Sequence, residues 1–297
     1  MKGGHIVDKY QILLFYKFVE ITNSEQEAVN HLSYCKSLGV KGRILIADEG
    51  INGTISGTIE QTEEYMREML SNPLYSDMVF KIDPADDHAF RKIFVRHRKE
   101  LVTLEYKNPI NPAVTSGKRL DPTQFHEYLQ RDDVIVVDGR NDYEYDLGHF
   151  RNAIKPEVET FKEFPEWINE NLSEFKDRPI LTYCTGGIRC EKLTSVLLDQ
   201  GFTDVYQLDG GIVTYGKDPE VEGKLFDGKC FVFDERMSVT INHTDEDMII
   251  TACKHCHKPS ARYINCTNNE CDVRYICCED CDEVMQGFCS NECKEIL

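Results

Sequence analysis

The residues Cys184-Thr185-Gly186-Gly187-Ile188-Arg189-Cys190 have the types and spacing of a reactive thiol site. A short apolar run, Pro179 to Tyr183, precedes them, and a helical pattern, Glu191 to Gln200, follows. A cysteine at a strand end, a glycine-bearing loop and a helix start converge backbone N–H groups on one point, and the helix dipole adds positive potential. Both favour thiolate over thiol, so Cys184 reads as a nucleophile and Arg189 as the residue that stabilises an anion held in the loop. The alternative is a small buried cysteine packed behind a loop. Four residues separate Cys184 from Arg189. Cysteine phosphatases use five, and the tighter ring suits a persulfide or small oxyanion better than a phosphoryl group. Cys190 falls near the first helical turn, where it either resolves an oxidised Cys184 or fills space.

A second constellation lies in the tail. Cys253-x2-Cys256, Cys266-x4-Cys271, Cys278-x2-Cys281 and Cys289-x3-Cys293 are four pairs with metal-knuckle spacing. Eight thiolates match two tetrahedral zinc sites, and closed four-thiolate shells are structural rather than catalytic. Sequential pairing and cross-braced pairing, first with third and second with fourth, both satisfy the spacing. Cys277, His255 and His257 are spares. A segment this poor in long apolar runs needs metal to fold.

These sites sit in a chain of 297 residues, long enough for two or three domains, with 41% apolar residues and a net charge of −18. No apolar run approaches the roughly 18 residues of a membrane span. Met1-Lys2-Gly3-Gly4-His5 lacks a signal-peptide layout, so the 13 cysteines are expected in a reducing cytoplasm. A general nucleic-acid binder is normally basic, and this chain is not. Any RNA contact therefore needs a local patch, for which Arg91, Lys92, Arg96, Arg98 and Lys99 are the candidates. The competing reading of that run is an edge strand kept soluble by charge.

The elements that must position these residues follow from periodicity. Residues 1–107 carry a βαββαβ rhythm. The strands are Ile12–Val19, Lys41–Ala47, Ile51–Ser56, Met78–Ile82 and Ile93–Leu104. The helices are Ser24–Ser37 and Thr58–Leu70. That pattern predicts a ferredoxin-like α+β domain, a candidate for RNA binding, with Gly50 and Gly53 serving the turn between two strands. After a Pro- and Asn-rich linker, residues 118–222 predict a parallel α/β domain. Its buried strands are Val134–Asp138, Ile180–Tyr183 and Val205–Leu208, and its helices are Phe161–Glu174 and Ile188–Gln200. The rule that function gathers at carboxyl ends of parallel strands puts Asp138, Arg140, Cys184 and Arg189 on one rim. Residues 223–297 form the cysteine-rich tail.

The Cys184–Cys190 loop, with Asp138-x-Arg140, Gly148-His149-Phe150-Arg151-Asn152-Ala153-Ile154 and Leu208-x-Gly210-Gly211, resembles a rhodanese domain. Together with Glu49-Gly50-Ile51-Asn52-Gly53-Thr54 and the cysteine-rich tail, it resembles the bacterial rhodanese-domain tRNA uridine hydroxylases across nearly the whole chain. That resemblance implies an enzyme forming 5-hydroxyuridine at the wobble position, in the tRNA anticodon loop, with molecular oxygen as co-substrate. It makes Cys184 the active-site cysteine, Asp138 and Arg140 supports of its loop, and His149 a turn-stabilising residue. A sulfurtransferase carrying a Cys184 persulfide is the alternative enzyme. A non-enzymatic zinc adapter is a third class, against which the presence of Cys184 counts.

Overall fold

A computed structural model describes residues 9–271 and 273–295. The reading of Met1–His5 falls outside them. The first unit comprises β1 (Tyr10–Phe18), α1 (Ser24–Leu38), β2 (Lys41–Ala47), β3 (Gly50–Thr58), α2 (Ile59–Ser71), β4 (Phe80–Ala85) and β5 (Ile93–His97). Its sheet order is β4-β1-β3-β2-β5. β1, β2, β3 and β4 make the antiparallel ferredoxin-like sheet, and β5 adds in parallel to β2 at the edge. Alternation on β1 sends Leu13 and Phe15 into a core with Ile44, Ile55 and Tyr65 beneath the two helices. Thr58 starts α2 with a capping box closed by Gln61, and Asn72 before Pro73 ends it.

Two readings change here. β5 ends at His97 rather than Leu104, because the Glu100 carboxylate accepts N–H bonds from Leu104 and Glu105 and turns the chain. Gly50 and Gly53 belong to β3, not to the turn, which is Asp48-Glu49. A Cβ on Gly53 would press into the Phe15 ring at 2.6 Å, so this glycine lets an aromatic ring lie flat on the strand.

The second unit contains β6 (Lys118–Leu120), α3 (Pro122–Leu129), β7 (Ile135–Asp138), α4 (Asp142–Leu147), β8 (Gly148–Phe150), α5 (Phe164–Asn171), β9 (Ile180–Tyr183), α6 (Ile188–Asp199), β10 (Val205–Leu208) and α7 (Ile212–Tyr215). The parallel sheet runs β6-β10-β9-β7. Every residue of β9 and β10 is buried, as a strand covered on both faces must be. The helix expected over Phe161–Glu174 is shorter. Pro165, in its first turn, fits only a helix start, and 3₁₀ turns flank it at Phe161–Glu163 and Ser173–Phe175.

The 223–297 stretch divides. β11 (Phe226–Phe231) pairs with β8 and with β12 (Ser238–Thr240), and Phe226, Cys230 and Ile241 join the core of the second unit. Beyond it lie the hairpin β13 (Tyr263–Asn265) and β14 (Arg274–Ile276), then α8 (Glu279–Met285) and α9 (Asn291–Glu295). The core here is largely cysteine sulfur, closed by Tyr275 and Phe288. No helix among the described residues is long and apolar enough to cross a membrane.

Candidate active site

Cys184 is the residue after β9 and is 1% exposed. Gly187, at φ +104°, is the N-cap of α6 and donates its N–H to the Cys184 sulfur at 3.1 Å. The carbonyls on the other side of the loop are held too. The N–H of Ile212 donates to the Cys184 carbonyl at 3.0 Å and that of Val213 to the Thr185 carbonyl at 3.1 Å. Gly211 lies against this backbone so closely that a Cβ would stand 2.7 Å from both carbonyl oxygens, which accounts for the Leu208-x-Gly210-Gly211 sequence.

Burial alone would raise the thiol's pKa. Hydrogen bonds from the Cys190 thiol and from the Cys190 and Gly187 N–H groups, with the Arg189 charge, overcome it and leave Cys184 below the ordinary thiol range. Cys190 is fully buried and moves the opposite way, through burial and the neighbouring Cys184. The two sulfurs thus form one unit in which Cys184 carries the charge and Cys190 the proton.

Arg189 is differently placed from the sequence reading. Its guanidinium meets the buried carboxylate of Glu144 through two bonds of 2.5 and 2.8 Å, and Thr185 Oγ1 at 3.2 Å. Glu144 would be pushed up by burial, yet Arg189 and then Arg140 hold it below the usual carboxylate range. Most of Arg189's donors brace the loop against α4, and its charge reaches Cys184 from there. Asp138 and Arg140 form a pair 0% exposed on both sides, with bonds of 2.9 and 2.6 Å. Arg140 also donates to the Gly148 carbonyl at 2.6 Å. These contacts tie β7 to β8 at a distance from solvent. His149 stacks on Tyr145 and bonds its carbonyl at 2.9 Å, a turn contact.

Sequence reasoning missed the roof of the site. The sheet of the first unit lies over the loop: a Cβ on Gly186 would meet Leu14 at 2.8 Å and one on Gly187 the Tyr16 hydroxyl at 2.9 Å. Tyr16 donates to the buried Glu191 carboxylate at 2.9 Å, which also receives Arg119 at 2.7 Å and Gln207 at 3.0 Å. Lys192, buried on α6, pairs with Glu49 at 2.8 Å and Glu100 at 2.9 Å, so the Glu49–Thr54 motif serves docking of the two units. Lys81 of β4 sits 5.0 Å from the Tyr16 ring and faces the loop. Burial lowers its pKa to about 8, while Cys184, Asp209 and Glu191 pull the other way. The only sequence signal for these residues is that Leu14 and Tyr16 alternate with the core positions of β1.

The tail resolves the pairing left open by spacing. Cys253, Cys256, Cys278 and Cys281 form one group, and Cys266, Cys271, Cys289 and Cys293 the other, with the sulfurs of each within 4.8 Å of one another. This is the cross-braced arrangement. Separations of 3.7 Å for Cys256–Cys278 and 3.6 Å for Cys271–Cys289 and Cys289–Cys293 are too long for disulfides at about 2.05 Å. They match the edge of a tetrahedron with metal–sulfur bonds of about 2.3 Å. Cys277, His255 and His257 belong to neither group.

On the basic run, Arg91, Lys92, Arg96, Arg98 and Lys99 are all exposed, on or beside the edge strand β5. Lys92 and Arg96 flank the Phe94 ring at 4.8 and 5.2 Å.

Comparison with known proteins agrees with this architecture. Residues 10–101 match the UPF0176 acylphosphatase-like domain, 121–218 the rhodanese-like domain and 227–294 the rhodanase C-terminal family. A rhodanese-like domain protein from Staphylococcus aureus has a solved structure 26% identical to this chain, with a TM-score of 0.28, covering 34% of this chain and 94% of that one. A Bacillus licheniformis protein named tRNA uridine(34) hydroxylase is 58% identical over 89% of this chain and 82% of its own length. One of the same name from Enterococcus faecalis is 54% identical over 89% and 83%. The three consecutive units, the Cys184 loop and these identities place the chain in the tRNA uridine(34) hydroxylase family.

Proposed function

We propose that this protein hydroxylates C5 of uridine 34 in the tRNA anticodon loop, with molecular oxygen as co-substrate and Cys184 as the reacting thiolate. The observation that carries the reading is the buried, donor-surrounded Cys184 beneath a second domain, in a chain 58% identical to a protein of that name. Addition of the Cys184 sulfur to C6 of the uracil makes C5 nucleophilic and ready to meet an electrophilic oxygen. Charge then builds on the uracil carbonyl. Lys81 is the cation suited to meet it, since no carboxylate lies within ion-pair distance of its ammonium among the described residues. Arg189, shared with Glu144, keeps the loop polarised. One oxygen atom enters the C5–H bond and the other leaves as water, which takes two electrons and two protons. Dioxygen added at C5 gives a hydroperoxide, and loss of the C5 proton expels the Cys184 thiolate from C6 and restores the ring. The freed thiolate takes the outer hydroperoxide oxygen as a sulfenic acid, leaving the C5 hydroxyl, and the Cys190 thiol condenses with it to a disulfide and water; cellular thiols then reduce the pair. An anticodon-loop base costs less to unstack than one in a duplex.

With tRNA under isotopically labelled dioxygen, 5-hydroxyuridine should carry the label, read by nucleoside mass spectrometry. Label arriving instead from labelled water would exclude the oxygen step.

The two cysteine groups would hold zinc, four thiolates to each ion, and supply folding free energy rather than catalysis. Elemental analysis of the purified protein should give two zinc ions per chain, and Cys281→Ser should remove one or both. A metal-free protein of unchanged stability would refute this role. Such thiolate sites are themselves anionic, so the RNA footprint is assigned to the first unit and the active-site rim, with Arg91, Lys92, Arg96, Arg98 and Lys99 as contacts.

A further inference from the structure

We propose that the groove between the β5 edge and the segment Phe231–Met237 binds single-stranded RNA, stacking the bases next to the target uridine on Phe94 and Phe233. The inference rests on the tRNA reading and adds a site and a mode of recognition to it.

The groove has a volume of about 530 Å³. Its walls come from separate parts of the chain: Arg43 and Phe94 from the first unit, Phe233 from the segment after β11, and Arg274 from the tail hairpin. Phe233 is 52% exposed although burying such a ring is worth about 2 kcal/mol. Phe94 is partly exposed, with a cation on either side. Arg274 lies 5.2 Å from the neighbouring Phe231 ring. Two acids also line the groove, but Asp234 is paired with Arg236 at 2.7 Å and Glu235 with Arg91 at 2.8 Å. Arg43, Lys92 and Arg274 are left facing the opening, in a chain whose net charge is −18. Aromatic rings interleaved with cations bind unpaired bases and their phosphates, whereas a duplex hides its base faces.

Phe233 joins this groove to the reaction site. The Arg189 guanidinium lies 6.0 Å from its ring. The same ring walls a second, small cavity of about 50 Å³ that reaches Thr185 of the loop and Lys81. That space suits a water or two, not a pyrimidine. A base coming from the groove towards Cys184 therefore has to displace the Phe233 ring, and the displaced ring is then free to stack on the neighbouring base.

The test compares two synthetic RNAs by fluorescence anisotropy: an anticodon stem-loop with unmodified uridine at position 34, and a fully paired duplex of the same length. Wild type should prefer the stem-loop. Phe94→Ala and Phe233→Ala should each weaken stem-loop binding about tenfold with little change in its salt dependence, and Phe233→Tyr should retain it. Lys92→Ala with Arg96→Ala should instead flatten the salt dependence. Zinc content and circular dichroism spectra, equal to wild type, show that the variants are folded. Wild-type affinity in both phenylalanine variants overturns the stacking site, and equal binding of the duplex makes the groove a general polyanion surface. Failure of the function reading looks different: no 5-hydroxyuridine from wild type, with stem-loop binding and its loss in the variants intact.

Discussion

Cells whose only copy of this protein is Cys184→Ala should contain no 5-hydroxyuridine above background, a fall of at least about a thousandfold in turnover. The magnitude follows from where the effort of the loop is directed. Backbone N–H groups, the Cys190 thiol and the Arg189 charge all converge on one sulfur, and alanine leaves them nothing to act on. The same convergence sets a pH signature. With its pKa brought down to about 6, Cys184 is largely thiolate at neutral pH, and the thiolate fraction falls as pH drops through that value. Whatever absolute rate its burial allows, alkylation of Cys184 by iodoacetamide should therefore change little from pH 7 to pH 9 and fall as pH drops through about 6, whereas the rate of an ordinary thiol climbs throughout that range. Glu144→Gln should bring a second change, because Arg189 loses its charged partner and the loop its brace. Undiminished 5-hydroxyuridine in Cys184→Ala cells, with no other route to the nucleoside, would end the proposal.

The largest effect on stability should come from Asp138→Ala. Removing one partner of a fully buried ion pair leaves the other charge in low dielectric, which costs about 3–5 kcal/mol. Arg140 would be that charge, with Gly148 O as its remaining short oxygen contact. Denaturant unfolding followed at several probes should show the loss in the second unit first, and Asp138→Asn should lose less because it keeps an acceptor. Exchange of both residues for apolar side chains of similar volume should recover much of the stability, as expected if most of the cost is the stranded cation. A loss below about 1 kcal/mol for Asp138→Ala would show that solvent reaches Arg140 and that the pair is not the anchor described.

What could be read from the sequence tracks how local the cause is. β9 and β10 were legible because strands buried on both faces must be apolar throughout, and the Cys184 loop because its chemistry is confined to seven consecutive residues. The cysteine spacing pointed to two four-thiolate groups and not to which pairs share a group, since the knuckles are alike until the chain path decides. Tyr16, Lys81 and Glu144 were illegible for another reason. Tyr16 reaches Glu191 across 175 positions, and no periodicity within β1 records what will pack on its outer face. Glu144 looked like one more acid in an acidic stretch, and only the Arg189 fork makes it structural. The glycines of β3 were misread as turn residues because sequence shows that a side chain is missing, not which ring needs the space.

The interleaved cysteine groups have a consequence for how the tail responds to metal supply. An ion held by Cys253, Cys256, Cys278 and Cys281 closes a loop that contains Cys266 and Cys271, which shortens their search for Cys289 and Cys293. Either ion, once bound, would thus lower the entropy cost of the other, which favours cooperative over stepwise loading. The hairpin between these ligands also grips the reaction domain: the Tyr263 hydroxyl donates to the Tyr143 carbonyl at 3.1 Å, and Arg274 lies 5.4 Å from the Tyr143 ring, one residue from Glu144. Loss of the ions would therefore weaken the hairpin's hold on the segment that carries Glu144, the partner of Arg189.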